Sequence, residues 1–226
     1  MNRTPSLVVA LLVAPLALVL LWAFHEALTQ PSGARLADLA ETSLSRTGVG
    51  NPVTAVLLSY RGYDTMLELG VLLAALLGIW SLGRVSPGFH PPELALTAMV
   101  AWVVPLLILT AGYLLWAGAE RPGGAFQGGA LLGAAGVILR LTGERRLGLP
   151  SERAQRRLAI AGIGAFLAVG LGTAAAGLGF LAYPESWSKW LILLIETATT
   201  LAVGMTLAAA YPGGPPGPAG NERDAP

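Results

Sequence analysis

Long apolar runs separated by short polar breaks dominate the chain. A bilayer core of about 30 Å takes roughly 20 mostly apolar residues in a helix. Lipid cannot solvate free backbone groups, so such runs are expected to be helical. The first extends from Leu7 to about Leu28, almost uninterrupted until His25 and Glu26, and reads as a retained transmembrane helix rather than a cleaved signal peptide. A polar loop follows from Thr29 to Asn51, with a short amphipathic helix predicted over Leu36–Leu44. The next run, Pro52 to Leu82, is too long for one crossing and is broken by Arg61-Gly62-Tyr63-Asp64. It predicts a half-helix, Val53–Ser59, and then a full helix from Asp64. Gly83 to Pro92 is a proline turn, and two further spans cover Glu93–Trp116 and Phe126–Leu141, joined by a glycine-rich reversal. A basic, polar connection from Thr142 to Arg157 leads to the last spans, Leu158–Ala182 and Trp187–Tyr211. The Pro/Gly-rich tail after Pro212 reads as disordered.

The pattern predicts an all-α integral membrane protein of about six transmembrane helices with one interrupted or half-helix segment. Composition agrees. Of 226 residues, 54% are hydrophobic and 12% charged, and mean hydropathy is +0.64. Soluble domains carry about a quarter charged residues, so a soluble enzyme, a nucleic-acid binder and a disordered chain are all poor readings. The absence of cysteine excludes disulfide frameworks and thiolate metal sites. A net charge of +1 suggests no polyanionic partner.

Arginines set the expected orientation. With six crossings, both termini and the even-numbered loops share a side that collects Arg3, Arg84, Arg140, Arg145, Arg146, Arg153, Arg156, Arg157 and Arg223. The other side has Arg35, Arg46, Arg121 and Lys189. The positive-inside rule then places both termini in the cytoplasm.

Ionisable residues inside apolar helices are costly, about 2.5–3.5 kcal/mol on insertion scales, and raise a functional question. Arg61, Asp64 and Glu68 fall on one helical stripe. Arg61 can hold Asp64 ionised, which leaves Glu68, a turn deeper, as the proton exchanger. The competing reading makes Arg61 and Asp64 headgroup anchors. Glu196 lies inside Leu191–Thr197 with Thr199 and Thr200 on its face, where hydroxyls could solvate it or a cation; a neutral, hydrogen-bonded structural acid is the alternative. His25 and Glu26 read as headgroup contacts at the end of the first span.

Small residues speak to packing. Gly124, Gly128, Gly129 and Gly133 form overlapping small-xxx-small patterns, and Gly164, Ala168, Gly172 and Ala176 repeat every fourth position. Such faces let membrane helices approach closely, against each other or against neighbouring subunits. No phosphate loop, histidine cluster or nucleophile elbow is present. No catalytic residue, metal site or cofactor is therefore expected.

Two motifs carry a resemblance. The stretch from Asn51 to Glu68, with Arg61-Gly62-Tyr63-Asp64-Thr65-Met66-Leu67-Glu68, resembles the Arg-Gly-aromatic-Asp-Thr-x-x-Glu segment near the end of the A subunit of Mrp-type Na⁺/H⁺ antiporters, also present in small subunits of membrane-bound hydrogenases. Arg121-Pro122-Gly123-Gly124-Ala125-Phe126-Gln127-Gly128-Gly129 resembles the Pro-Gly-Gly-Gly-Phe-x-Gly-Gly signature of the Mrp B subunit (the MnhB type), and Trp190–Leu207 with Glu196 is similar to that subunit's last helix. Ala125 stands where the family usually has glycine, a preceding Gly-His pair is absent, and Glu196 replaces an aspartate. The resemblance divides the chain into an N-terminal helix and loop (1–50), an A-tail-like segment (51–92), a B-like four-helix domain (93–211) and the tail (212–226).

It implies an accessory, non-enzymatic membrane subunit of a multi-subunit Na⁺/proton antiporter or a related energy-converting complex, placed in the cytoplasmic membrane among other membrane subunits. Glu68, Asp64, Arg61, Glu196 and Thr200 would line an ion or proton route at a subunit seam. Pro122, Gly123, Gly124, Gly128, Gly129 and Gly133 would form the turn and its packing face. The alternative is a purely structural scaffold in a hydrogenase-, sulfur-reductase- or inorganic-carbon-uptake-related complex.

Overall fold

The computed structural model describes residues 4–29, 35–82, 94–141 and 149–213. The proline turn after Leu82, the first part of the basic connection (142–148) and the tail beyond Gly213 lie outside the described residues. Every regular element among the described residues is helical. Contacts divide the chain into two units, Met1–Leu39 and Ala40–Pro226.

The first unit is built on α1 (Thr4–Thr29), a 26-residue helix with Pro15 inside it. Near its end Thr29 Oγ1 donates to the carbonyl of His25 at 2.9 Å. The short helix α2 (Leu36–Thr42) begins after Arg35, whose guanidinium pairs with Asp38 at 3.1 Å.

In the second unit a 3₁₀ turn, Leu44–Arg46, leads to a one-turn helix α3 (Pro52–Thr54) that widens at once into a π-helix, Ala55–Tyr60. Helical geometry breaks at Arg61, with φ −129° and ψ 35°, before α4 (Gly62–Ser81) begins. This is the predicted half-helix and full helix, joined by a break at the predicted place. The wide turn frees the carbonyl of Leu57, which accepts from Thr65 Oγ1 at 2.7 Å across the break. Helices α5 (Leu94–Ala117), α6 (Ala125–Leu141), α7 (Glu152–Ala175) and α8 (Ser188–Ala210) complete the bundle. Among the described residues four helices are long and apolar enough to cross a membrane: those at Gly62–Ser81, Val100–Ala117, Glu152–Ala175 and Ser188–Ala210. The 17-residue α6 is a shorter apolar helix.

Helix α8 is the hub, packing against α4, α5, α6 and α7. Its apolar window is 61% buried, against 22% for α4. The α6–α8 contact is backbone-close because glycine lines it. A Cβ at Gly129 would stand 2.6 Å from Val203 Cβ, and one at Gly133 2.7 Å from Leu207 Cβ. Gly204 returns the favour from α8, 2.8 Å from Leu132 Cβ. The predicted small-residue face of α6 is therefore used inside the chain. That of α7 is not: Gly164 and Gly172 meet nothing within 4 Å, and Ala168 is exposed. Instead α7 docks through Gly162, against Leu69 of α4 and Ala202 of α8, beside the buried Phe166.

Helix α7 differs from the predicted Leu158–Ala182 at both ends. It starts six residues earlier because its polar first turn satisfies itself: Arg156 pairs with Glu152 at 2.9 Å and lies over the Trp80 ring at 5.8 Å. It stops earlier because Gly177 and Gly179 take φ values of +79° and +105°, outside right-handed helix. Leu181, at φ +58°, is the positive-φ non-glycine among the described residues and is buried against Gly62.

Candidate functional site

Glu196 lies eight residues into α8, about 12 Å along its axis at 1.5 Å per residue. It is 3% exposed. Its carboxylate accepts the backbone N–H of Ala125, the first residue of α6. The first N–H groups of a helix have no partner within it, and they carry the positive end of its dipole. A carboxylate there supplies the missing acceptor and the matching charge. Oε2 of Glu196 and Oγ1 of Thr199 are buried without a hydrogen-bond partner.

The approach of α6 to Glu196 depends on the turn Gly118–Gly124. The N–H groups of Gly118 and Gly124 both donate to the carbonyl of Leu114, at 3.0 and 2.8 Å. The two glycines are thereby drawn together, and a Cβ on Gly118 would fall 2.7 Å from Gly124 Cα. Gly124 has φ +115°, and its Cβ position lies 3.2 Å from Glu196 Oε1. Gly123 leaves 2.5 Å between its own Cβ position and the Leu114 carbonyl. Pro122, at the exposed tip of the turn, touches none of this.

The turn is held from outside by the segment before the π-helix. Asn51 Nδ2 donates to the carbonyls of Gly118 (2.9 Å) and Arg121 (2.8 Å). Thr54 Oγ1 donates to Gly118 as well, at 2.5 Å. The N–H groups of Gly50 and Asn51 share the Ala119 carbonyl at 2.9 and 3.0 Å. At the start of α8, Lys189 Nζ pairs with Glu120 at 2.9 Å, and Ser188 Oγ donates to the carbonyl of Thr47. Three distant stretches of chain thus meet around the glycine turn that lies beside the Glu196 carboxylate.

Asp64 and Glu68 stand apart from this knot. They line an open groove of about 750 Å³ between α4, α6 and α8, together with Leu67, Val71, Leu72, Phe126, Ala130, Val203 and Leu207. Arg61 forms an ion pair with Asp64 at the head of the groove. Glu68 is exposed and has no ion-pair or hydrogen-bonding partner among the described residues. The break at Arg61 is closed by Tyr63 stacking on Phe180 at 5.2 Å. Beside it the Tyr183 hydroxyl is buried without a partner, and burial pushes its ionisation well above the ordinary phenol range.

The sequence-predicted residues fall into two groups. Arg61, Asp64 and Glu68 sit together at the groove, while Glu196 with Gly123 and Gly124 forms the knot. Gly128, Gly129 and Gly133 pack α6 against its neighbours. Thr200 is buried, but its hydroxyl donates to the backbone carbonyl of Glu196 at 2.8 Å rather than to the carboxylate. A hydroxyl one turn ahead in a helix finds the i−4 carbonyl first. Nothing in the sequence marks Asn51 and Thr54 for this role, although an Asn ahead of Pro52 is the pattern of a helix N-cap. Asn51 does cap α3, its side chain accepting the Val53 N–H at 3.0 Å. Phe126 is the junction of the two groups: its neighbour Ala125 holds Glu196, and its ring walls the groove. Among the described residues no three His, Cys, Asp or Glu side chains cluster as metal ligands would.

A family model described as a domain related to the MnhB subunit of Na⁺/H⁺ antiporter matches residues 95–210, which takes in the glycine turn and Glu196. No curated protein matches the chain. The fold is shared with a chain of the membrane-bound sulfane sulfur reductase, an archaeal respiratory membrane complex, at a TM-score of 0.70 and 24% identity over 91% of this chain and 97% of that one. It is shared too with a chain of the Mrp complex from Dietzia sp. DQ12-45-1b, at a TM-score of 0.61 and 24% identity, covering 100% of this chain and 27% of that one.

Proposed function

The chain belongs to the family of domains related to the MnhB subunit of Na⁺/H⁺ antiporters, and on that premise we propose that it lines an ion path at a seam between membrane subunits. The observation that carries the reading is the groove, in which two carboxylates, Asp64 and Glu68, stand on an otherwise apolar wall. Glu68 lies six residues into α4, about 9 Å along its axis. Acids at such positions face a bundle interior or water rather than lipid. A second membrane subunit of an Mrp-type or related complex therefore covers the groove and leaves a wet crevice along α4. Arg61 pairs with Asp64 at its mouth, and Glu68, a turn deeper, exchanges a proton or Na⁺. Glu196 is the second acid of the path, reached past Phe126, and Thr200 braces the backbone that carries it. The transported ions are Na⁺ and H⁺. The chain catalyses no reaction itself and resides in the cytoplasmic membrane with both ends on the cytoplasmic side, in keeping with its arginines.

The test is Glu68→Gln in the assembled complex, assayed for Na⁺/H⁺ exchange in everted vesicles. The expected result is loss of exchange with the complex intact on a native gel; undiminished exchange removes Glu68 from the path. A scaffold role is favoured by one observation, the unpartnered glycine face of α7. It predicts normal transport in Glu68 and Glu196 variants and dissociation when that face is filled. The shared fold with the sulfane sulfur reductase chain supports a redox-driven parent complex as well as an antiporter. The proteins that co-purify in mild detergent decide between the two.

A further inference from the structure

We infer that Asn51, with Thr54 beside it, is a positioning residue for Glu196: the pair latches the Gly118–Gly124 turn down over the carboxylate. The turn is irregular backbone lying level with Glu196, well inside the length of α8. Its carbonyls need donors, since an unpaired one in an apolar setting is costly. The chain supplies them from one place. Asn51 Nδ2 bridges Gly118 and Arg121 at 2.9 and 2.8 Å, and Thr54 Oγ1 adds a second bond to Gly118 at 2.5 Å. Both side chains are buried, Asn51 at 6% exposed and Thr54 at 4%, where water does not compete.

Asparagine is the side chain this place requires. It must give two hydrogen bonds to the turn and accept one from Val53 N–H. An ionised aspartate of the same shape accepts only. On its other side the turn is in contact with the acid: the Cβ positions of Gly118 and Gly124 lie 3.3 and 3.2 Å from Glu196 Oε1. Lifting the turn therefore uncovers Glu196 and withdraws Ala125 N–H from it in one movement. The latch comes from the segment that leads directly into the π-helix and α4, so the two acids are joined mechanically as well as through Phe126.

The inference deepens the reading above and rests on it only where transport is measured. The probe is dicyclohexylcarbodiimide, a membrane-soluble carboxyl reagent, applied to the assembled complex in vesicles. The Glu196 adduct is quantified by mass spectrometry relative to the Glu68 adduct, and Glu196→Gln marks the background. Asn51→Asp keeps the Val53 cap and removes both donors to the turn. It is expected to raise relative labelling of Glu196 about tenfold, the scale of two lost buried hydrogen bonds. Thr54→Val should raise it less, and Thr54→Ser should restore the wild-type value. Equal labelling in wild type, Asn51→Asp and Thr54→Val overturns the latch; if Asn51→Asp does not assemble, the Thr54 pair decides alone. Raised labelling with unchanged Na⁺/H⁺ exchange upholds the latch and removes Glu196 from the ion path. Unchanged labelling with exchange still sensitive to Glu68→Gln overturns the latch and leaves the path standing.

Discussion

Glu196 and Glu68 are both acids in apolar helices, roughly two turns from where those helices begin, and their surroundings are opposite. Glu196 is enclosed by its own chain: a helix terminus donates to it, a glycine turn covers it, and that turn is tied down by Asn51 and Thr54. Glu68 faces an open groove whose wall is apolar apart from Asp64, with no counter-charge of its own among the described residues. The difference teaches that a buried acid can be accommodated by backbone dipoles supplied within one subunit, whereas an acid on an outer face is accommodated only by a neighbour. On the proposed reading, one belongs to the fold of the subunit and the other to the assembly.

The comparison breaks most sharply at Gly124. Alanine there meets both a positive φ and the Glu196 carboxylate. It should cost roughly 2–4 kcal/mol, read as a fall in thermal stability of the purified subunit in detergent. Replacing each acid by leucine separates them next. Glu196→Leu leaves the Ala125 N–H without its acceptor and should destabilise the subunit by about 1–3 kcal/mol. Glu68→Leu should change the stability of the same preparation by less than about 0.5 kcal/mol. Equal losses in the two would erase the distinction. The smallest effect belongs to another outer face. Gly164→Ala adds a methyl group into open space and should stabilise the isolated subunit by about 0.5–1 kcal/mol through helix propensity. If a neighbour covers that face, the same change weakens the complex on native gels, so the sign of its effect locates the interface.

Much of this was legible in the sequence because the signals are local. The apolar runs gave the helices, the Arg61–Asp64 break interrupted them where expected, and the glycine-rich reversal marked the turn that meets Glu196. What stayed hidden depends on distance along the chain. Asn51 and Gly118 are 67 residues apart, and nothing near Asn51 announces that its amide will find carbonyls there rather than water. The early start of α7 is hard to see in a charged stretch that reads as loop, although Glu152 and Arg156 are spaced to pair on one helical face. Sequence spacing gives the face of a helix but not the direction of a hydroxyl, so the turn of Thr200 toward the Glu196 carbonyl is visible only in the structure.

The π-helix at Ala55–Tyr60 has a consequence for evolution and engineering alike. Each residue of ordinary helix turns the chain by about 100°, so adding or deleting one between a fixed anchor and a following helix swings everything beyond it to a new azimuth. A wider coil absorbs such a residue as slack. With Asn51 fastened at one end and Thr65 bonded back to Leu57 at the other, this hexapeptide sets the compass bearing of Asp64 and Glu68. An insertion here is taken up in the coil and leaves both the carboxylates and the α4 face packed on α7 and α8 at the same bearing.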